Sequence, residues 1–275
     1  MRSFPTLLAL GLAGGLGGCA GTSSIVATDT DTITSVGEVA DALATADVVA
    51  LGELHQTPAV HETHLALLRA LHERRPNMVI AMEMFERDVQ TVLLQYLNGL
   101  VDEAQFRAAA RPWPNYERDY RPVIEFAKQN GLVVLAANAP RPLAQKAAKE
   151  GVATVLGDPH VARETTAPTD EYWDAFQESM EGHEGVLGPG GMERYYAAQC
   201  LKDDTMAETV TDHLARRYER GDRPLAVLIC GRMHSDHGRG AVQRMRARMP
   251  SLDVRVLSAE TVADLGSGVY ESPRD

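Results

Sequence analysis

The sequence predicts a single α/β domain with a mainly parallel central sheet flanked by helices. Short, continuous apolar runs recur along the chain, and runs of this kind are typical of strands that are covered on both faces. Segments with helical spacing separate most of them, and this alternation favours parallel strands joined by right-handed crossovers. The five runs are DVVALG, NMVIAM, GLVVLAAN, PLAVLICG and LDVRVLS.

The first residues of the chain predict export. One positive charge at Arg2 precedes an apolar run from Phe4 to about Leu16, which is typical of a signal peptide. The run is too short and too rich in glycine for a spanning helix, which needs about 20 apolar residues. We therefore expect residues 1–18 to be a signal peptide.

The sequence Leu16-Gly17-Gly18-Cys19 resembles the lipobox of bacterial lipoproteins. This resemblance implies that Cys19 is acylated and anchors the protein to a lipid membrane. Ala20 follows the cysteine instead of an aspartate, which favours the outer membrane over the inner one. Residues 19–34 are small and polar and are predicted to form a lipid-anchored tether.

The domain that follows, residues 35–275, opens with a helical segment before the first strand. The next predicted helix, PAVHETHLALLRALHERR, begins at Thr57-Pro58, which suits an N-cap followed by proline at the first helical position. RPVIEFAKQNG and DDTMAETVTDHLARRYERG are also predicted helices. Residues 157–191 interrupt this rhythm and are predicted to be an insertion that contains one helix, EYWDAFQESM. This insertion is either a lid or binding loop or a solvated connection.

Composition narrows the classes of partner. The formal net charge of -11 argues against a nucleic-acid partner, because no long basic run offsets it. Cys200 and Cys230 are predicted to be thiols, since Cys230 lies in the apolar run LAVLICG, although an exported protein could join them in a disulfide.

Polar residues that could bind a metal or catalyse a reaction follow four of the predicted strands. The ends of parallel strands meet at one edge of the sheet, where α/β proteins bind ligands. The residues are Glu53 and His55 after VVALG, Glu83 after MVIAM, Asn138 after VVLAA, and His234 after LAVLICG. Two imidazoles and two carboxylates there predict either a divalent-metal site at Glu53, His55, Glu83 and His234 or a general acid and base.

Simpler interpretations exist for the two carboxylates. Glu53 could cap the following helix, and Glu83 could start one with Arg87 as its ion-pair partner. His55 and His234 are stronger candidates, because both occupy a Gly-x-x-His frame in which glycine permits close approach of a ligand. On the first long helix, His64 is predicted to be a core histidine bonded to a backbone group, whereas His61 could reach the crevice.

Several segments in order resemble the ChaN family, the haem-binding lipoproteins of the Tiki superfamily. They are GELHQTPAVHETHLALLRAL, AMEMFERDVQ, YLNG, YRPVIEFAKQNGLVVLAANAPR, QCLKDDTMAE and LAVLICGRMH. The pattern departs from the family at Gln56, where an aspartate is common, and at Val60, which leaves His61 alone where members often have two adjacent histidines.

The resemblance implies a periplasm-facing lipoprotein of the bacterial outer membrane that binds haem and assists iron uptake. It also implies that a homodimer encloses the haem. A further implied partner is an outer-membrane haem receptor. Haem needs an apolar slot, an axial ligand, and cations or backbone donors for its propionates. The candidate residues for haem are Tyr195, Tyr196, His183, Arg194 and His61, with Met180 and Met192 beside the insertion.

Two other functions remain open at this stage. Relatives in the superfamily resemble proteases and esterases, which would make Glu53, His55, Glu83 and His234 the catalytic residues of a metal-dependent hydrolase. The remaining alternative is a carrier or docking lipoprotein with an inactive crevice.

Overall fold

A computed structural model describes the backbone of residues 7–13, 22–27, 32–182 and 188–262, and the side chains of residues 34–182 and 188–260. Within this part of the chain, eight strands form one sheet in the order β3-β2-β1-β8-β4-β7-β5-β6. The strands are β1 (Leu7–Ala13), β2 (Thr22–Ala27), β3 (Thr32–Thr34), β4 (Val48–Glu53), β5 (Met78–Glu86), β6 (Val133–Asn138), β7 (Leu225–Gly231) and β8 (Val254–Val262).

Five parallel strands, β8-β4-β7-β5-β6, form the main body of the sheet and confirm the predicted α/β class. These are the five apolar runs of the sequence. In the central pair, β4 and β7, Glu53 lies opposite Gly231. The carboxyl ends of the two strands therefore finish side by side.

Helices cover both faces of the sheet. They are α1 (Val36–Leu43), α2 (Pro58–Arg74), α3 (Gln90–Leu97), α4 (Glu103–Ala110), α5 (Arg121–Gln129), α6 (Arg141–Glu150), α7 (Glu171–Ser179), α8 (Gly191–Tyr218) and α9 (Gly240–Arg248). Alternate residues of β4 enter different cores: Val49 and Leu51 lie in the core with α2, α3 and α5, whereas Val48 and Ala50 lie in the core with α8 and α9. Burial on both faces explains why the strand sequences are continuously apolar.

Two helices begin with recognisable local chemistry. Ser35 and Glu38 form a capping box at α1, since the Ser35 hydroxyl accepts from the Glu38 N–H and the Glu38 carboxylate accepts from the Ser35 N–H. Pro58 stands at the start of α2, as predicted, but the side chain of Thr57 makes no capping hydrogen bond.

The amino-terminal segment contributes three strands. β1 runs parallel to β8, while β2 and β3 continue the sheet in antiparallel pairs. β1 falls within the predicted signal peptide, and β2 and β3 fall within the segment predicted to be a tether. A short apolar run can hydrogen-bond to the open edge of β8, which accounts for its placement as a strand. Cleavage before Cys19 would remove β1, and this cleavage stays a prediction; Cys19 itself lies outside the described residues.

Membrane attachment by a spanning helix has no candidate in the described part of the chain, where no helix is both long and apolar enough to cross a bilayer. Cys200 and Cys230 are buried free thiols, as predicted. Within the predicted insertion, residues 157–170 run as turns and irregular chain before α7 begins. Residues 183–187 of this insertion lie outside the described residues.

Candidate functional site

The carboxyl ends of the parallel strands open into a pocket of about 840 Å³. This volume falls in the upper part of the range of roughly 300–1,000 Å³ that is typical of small-molecule sites. The structure brings the predicted strand-end residues together on its lining: Glu53, His55, Glu83, Asn138 and His234. The lining also includes residues from α6, α7 and α8, so the pocket has a polar floor and helical walls.

Glu53 and His55 form a hydrogen-bonded pair on the floor. His55 Nδ1 donates to Glu53 Oε1 across 2.7 Å, and the hydroxyl of Tyr120 donates to the same oxygen across 2.7 Å. His55 Nδ1 therefore carries a proton. Burial acts to raise the pKa of Glu53, but hydrogen bonds from His55, His61 and Tyr120 outweigh it and lower the pKa. The bond to Glu53 raises the pKa of His55.

Glu83 and His234 form a second pair, which extends into α8. Glu83 Oε2 accepts from the backbone N–H of Gly231 across 2.7 Å, and Oε1 lies 3.3 Å from His234 Nε2. The other nitrogen, His234 Nδ1, lies 2.7 Å from Asp203 Oδ1. The hydroxyl of Tyr172 donates to the second oxygen of Asp203.

The pKa values of both residues in the second pair are strongly shifted. Burial alone would lower the pKa of His234, but the charges of Glu83 and Asp203 raise it to about 10. Burial would likewise raise the pKa of Glu83, but His234 and other neighbours lower it to about 2. His234 is therefore an imidazolium at neutral pH, with a proton on each ring nitrogen.

These contacts do not fit the predicted divalent-metal site. A histidine ligand must offer a lone pair to the metal, whereas the two ring nitrogens of His234 lie against the carboxylates of Glu83 and Asp203, at 3.3 Å and 2.7 Å. Glu53 and His55 are bonded to each other. Among the described residues, no group of three or more histidine, cysteine, aspartate or glutamate side chains is placed to hold a metal ion. The structure therefore does not support a metal at Glu53, His55, Glu83 and His234.

The two Gly-x-x-His frames have a packing role. A Cβ on Gly231 would lie 2.8 Å from His55 Nε2, and a Cβ on Gly52 would lie 2.6 Å from the hydroxyl oxygen of Ser235. Both distances are shorter than carbon can tolerate without movement. The glycines thus allow the strand ends to meet side chains of the protein itself, which corrects the expectation that they admit a ligand.

The structure also contradicts the simpler interpretation of Glu83, in which this residue starts a helix and pairs with Arg87. It lies inside β5, which continues to Glu86, so it does not start a helix. Arg87 forms its ion pair with Glu208 on α8. Glu53 is the last residue of β4, and its carboxylate faces His55, His61 and Tyr120 instead of capping α2.

Two histidines of α2 lie behind the floor. His61 Nδ1 is 3.4 Å from Glu53 Oε2, and His61 Nε2 is 3.5 Å from Asp119 Oδ2. His61 is buried and does not line the pocket, so it supports Glu53 from behind. His64 is fully enclosed, and burial lowers its pKa to about 4. Its predicted backbone bond is wrong, because neither ring nitrogen has a hydrogen-bond partner.

The adjacent tyrosines of α8 point in different directions. Tyr195 is 46% exposed and lines the pocket, whereas Tyr196 is 2% exposed. The Tyr196 hydroxyl donates to the carbonyl of Pro168 across 2.8 Å, and its ring contacts Trp173 and Phe176. Consecutive residues project about 100° apart on a helix, so only one of the pair can face the pocket.

The other residues predicted to bind haem fall in separate places. Met180 lines the pocket, and Met192 packs against the aromatic cluster around Tyr196. Arg194 does not line the pocket and donates to the carbonyl of Pro189 across 3.3 Å. His183 lies outside the described residues.

Several lining residues were not found from the sequence. Trp113 lies in a loop, and its ring makes an edge contact with His55 at a centroid distance of 5.0 Å. On α8, Ala198, Gln199 and Lys202 line the pocket together with Tyr195. They follow Tyr195 at three, four and seven residues, which is the spacing of one helical face. That spacing could have identified this wall of the pocket.

Comparison with protein families gives one match over most of the chain. The model of a family described as haem-binding uptake, Tiki superfamily, ChaN matches residues 39–245. A curated relative, Protein RETICULATA-RELATED 5, chloroplastic, from Arabidopsis thaliana, is 23% identical over 210 residues. The alignment covers 71% of this chain and 28% of that relative, so this chain spans less than a third of its length.

A solved structure shows the same fold. It is described as cofacial heme binding to ChaN of Campylobacter jejuni, and it matches with a TM-score of 0.69 and 17% sequence identity. The match covers 90% of this chain and 93% of that one. The arrangement of the central sheet and its helices is therefore shared along nearly the whole of both chains.

Proposed function

This chain belongs to the ChaN family of haem-binding uptake proteins in the Tiki superfamily, and we propose that it binds haem in the pocket at the carboxyl ends of its parallel strands. The observation that carries the proposal is the position of Tyr195. This residue is 46% exposed and lies on the lining of the pocket. Within the described residues its hydroxyl has no hydrogen-bond partner, so the phenol is available to a ligand.

The walls of the pocket suit a flat apolar ring. Ala144 and Ala148 lie one turn apart on α6, and Ala198 faces them from α8. Small side chains leave space between these helices. Phe176 of α7 and Met180, the residue that follows this helix, contribute larger apolar groups to the lining. Such a slot meets the main requirement of a porphyrin, which is burial of its apolar faces.

Tyr195 is the axial ligand that the structure favours. Tyrosine is an established ligand of haem iron, and the hydroxyl of the neighbouring Tyr196 is already bonded to Pro168. The placement of Tyr196 therefore does not suit its predicted role as a haem ligand. Met180 remains a nearby sulfur donor. His55 lines the same pocket and supplies a polar group beside the ligand.

The metal-dependent hydrolase is not favoured. His234 would have to accept a proton or bind a metal, yet it is held as an imidazolium between Glu83 and Asp203. A general base needs a pKa near the working pH. A pKa of about 10 places His234 well above that range.

We also propose that the protein is a lipoprotein anchored through Cys19 in the bacterial outer membrane and facing the periplasm. The amino-terminal sequence supports this location. In that setting it assists haem and iron uptake, with an outer-membrane receptor as a partner, and a homodimer encloses the haem. Replacement of Cys19 with serine should release the protein from membranes, as measured by fractionation and lipid labelling.

A haemin titration tests the central proposal. We expect the full chain, held in a mild detergent, to give a saturable shift of the Soret band with one haem per protomer. Ala148→Trp should block the pocket and abolish the shift. Lys146→Trp, two residues away on the exposed face of α6, is the matched control and should bind as the wild type does. A shift that survives in Ala148→Trp would contradict haem binding in this pocket.

A further inference from the structure

We propose that the edge of the sheet opposite the pocket docks onto the phosphates of anionic phospholipids. The docking surface is a group of four arginines, named the arginine edge: Arg75, Arg216, Arg220 and Arg223. The inference rests on the proposed membrane location and adds to it, since the arginine edge would orient the protein with its pocket pointing away from the bilayer.

The arginine edge lies where the central strands begin. Arg75 lies three residues before β5, and Arg223 lies two residues before β7. The first residue of β7, Leu225, donates its N–H to the carbonyl of Asn77 across 3.0 Å, so the two strands start side by side. The pocket opens at the carboxyl ends of the same strands, and a strand of six residues such as β4 is roughly 20 Å long. The two surfaces therefore lie at opposite ends of the sheet.

The ends of two long helices are joined at this edge. α2 and α8 pack into the cores on opposite faces of the sheet, and both end shortly before a strand. Arg75 donates to the carbonyl of Arg223 across 3.0 Å. Arg217 and Asn77 both donate to the carboxylate of Asp222. These bonds hold the two helix ends together, so the arginines belong to one continuous surface.

The four arginines carry charge that no ion pair neutralises. Within the described part of the chain, none of them pairs with an aspartate or a glutamate. Arg75 donates instead to two carbonyls, and the guanidinium of Arg223 lies 3.8 Å from the centroid of the Tyr218 ring. Arg216 and Arg220 are exposed and lie four residues apart at the end of α8. Arginine matches phosphate with a planar fork of donors, so these side chains suit a lipid headgroup.

Most carboxylates around the arginine edge are held by other groups. Four aspartates form ion pairs with other arginines: Asp41 with Arg74, Asp212 with Arg163, Asp222 with Arg217, and Asp253 with Arg255. Asp47 accepts a hydrogen bond from the hydroxyl of Tyr218. Glu73 and Glu219 remain as exposed carboxylates. Unpaired guanidinium groups therefore outnumber these two, although the whole chain carries a net charge of -11. A local positive surface of this kind favours an anionic partner.

An exposed apolar side chain lies at the same end of the domain. Leu100, in the turn between α3 and α4, is 75% exposed. Lys128 locates this turn, because it lies five residues before β6 and its Nζ is 3.8 Å from the centroid of the Tyr96 ring near the end of α3. Surfaces that bind bilayers combine cations for the headgroups with apolar side chains that enter the interface. The amino ends of the strands present both.

A lipid anchor would keep this surface close to phosphates. Cleavage before Cys19 would remove β1, the strand that joins β2 to the rest of the sheet. Residues 19–34 could then extend to roughly 50 Å, so the anchor alone does not decide which end of the domain faces the membrane. Attachment raises the effective concentration of headgroups, and a few cations are then enough to set the orientation. Among anionic partners, the bilayer is therefore the one that the arginine edge fits best.

Vesicle sedimentation tests the inference. The full chain with Cys19→Ser, which cannot be acylated, should bind vesicles that contain phosphatidylglycerol more tightly than vesicles of phosphatidylcholine alone, and high salt should remove the preference. Adding Arg216→Gln and Arg220→Gln to this chain should weaken binding to the anionic vesicles about twentyfold, at about fivefold for each cation. Glu219→Gln should strengthen that binding about fivefold.

The control variant removes the same charge elsewhere. Arg107→Gln and Lys146→Gln change exposed side chains of α4 and α6, which lie outside the arginine edge. The chain with both substitutions should bind anionic vesicles as its parent does. An equal loss in this control would overturn the inference, since net charge alone would then explain the binding.

Tryptophan fluorescence tests the orientation. The two tryptophans of the chain lie at the pocket end: Trp113 lines the pocket, and the ring of Trp173 stacks on Phe176 of the lining at a centroid distance of 6.3 Å. Brominated phosphatidylglycerol should leave their emission unchanged, whereas Glu219→Trp should add an emission at the arginine edge that the lipid quenches. Quenching of the native tryptophans would show that the pocket end faces the bilayer, which would overturn the inference.

The remaining outcomes separate this inference from the proposed function. Equal binding to neutral and anionic vesicles would overturn the arginine edge. Salt-sensitive binding to polyglutamate without a preference for anionic vesicles would indicate an acidic protein as partner and would also overturn it. A native chain without an acyl group on Cys19 would overturn the anchor on which the inference rests. Failure of the wild type to bind haemin would overturn haem binding alone, because the arginine variants should keep the haemin affinity of the wild type. Circular dichroism of each variant checks that the fold is unchanged.

Discussion

Nδ1 of His234 lies 2.7 Å from Oδ1 of Asp203, and this contact joins the end of β7 to the interior of α8. Glu83 faces the other ring nitrogen from β5. Three elements are thus held together by one buried imidazolium. Because α8 also carries Tyr195, the contact fixes the helical wall of the pocket relative to its floor.

The charge on His234 predicts a loss of stability at high pH. Its pKa in the folded state is about 10, against an ordinary value of 6.5. The folded protein therefore binds more protons than the unfolded chain between these values, and the free energy of unfolding falls as pH rises through them. The stabilisation is complete below pH 6.5, and the loss by pH 10 is on the order of a few kcal/mol. Thermal unfolding measured from pH 6 to 10 tests this expectation.

Asp203→Asn should test the same ion pair by removing the charge of the carboxylate that faces His234. Removal of one partner from a buried ion pair costs about 3–5 kcal/mol, and the dependence of stability on pH above 6.5 should become weaker. Glu86→Gln is the control, because the pair between Glu86 and Arg111 is partly exposed and should contribute no more than about 1 kcal/mol. Equal effects of the two substitutions would show that the His234 contact is not a major source of stability.

Gly231 should be intolerant of a side chain because of His55. Gly231→Ala would bring a Cβ to 2.8 Å from His55 Nε2, and such overpacking typically costs about 1–3 kcal/mol. In a His55→Ala background the same substitution should cost much less, which a double-mutant cycle of unfolding free energies measures.

Gly37→Ala is the control substitution for Gly231→Ala. It lies in α1, where the nearest atom to an added Cβ is 3.8 Å away, so Gly37→Ala should stabilise the helix by up to about 1 kcal/mol. Additive effects of Gly231→Ala and His55→Ala would be inconsistent with the proposed clash.

His64 predicts sensitivity to acid. Burial lowers its pKa from 6.5 to about 4, so the unfolded chain binds the extra proton between these values and stability falls as pH falls. His64→Leu removes two buried nitrogens that have no hydrogen-bond partner. We expect this variant to be more stable by about 1–2 kcal/mol and to lose less stability between pH 6.5 and 4. Denaturant unfolding at pH 7 and 4.5 measures both effects, and an unchanged difference between the two pH values would argue against this role of His64.

Much of the fold followed from local pattern. The five apolar runs are the five parallel strands, because strands covered on both faces need continuous apolar sequence. Glu53 and His234 were expected at the same edge for the same topological reason. The strands near the amino terminus were missed, because the apolar run at residues 7–13 suits a signal peptide as well as it suits a strand.

The chemistry of the site could be predicted less well from the sequence. Sequence shows that His55 and His234 stand after strands, but it does not show which carboxylate each imidazole meets. Asp203 on α8 comes to His234 only through tertiary packing, and it converts a potential metal ligand into an imidazolium. The difference between Tyr195 and Tyr196 likewise depends on which face of α8 is buried.

The most direct test of the account is a haemin titration of two matched variants, Tyr195→Phe and Tyr196→Phe. Each removes one hydroxyl from adjacent positions of the same helix, but only Tyr195 lines the pocket. We predict that Tyr195→Phe changes the Soret spectrum and weakens binding at least about tenfold, the equivalent of one lost ligand interaction, whereas Tyr196→Phe retains the wild-type spectrum. A wild-type spectrum and affinity in Tyr195→Phe would contradict the account.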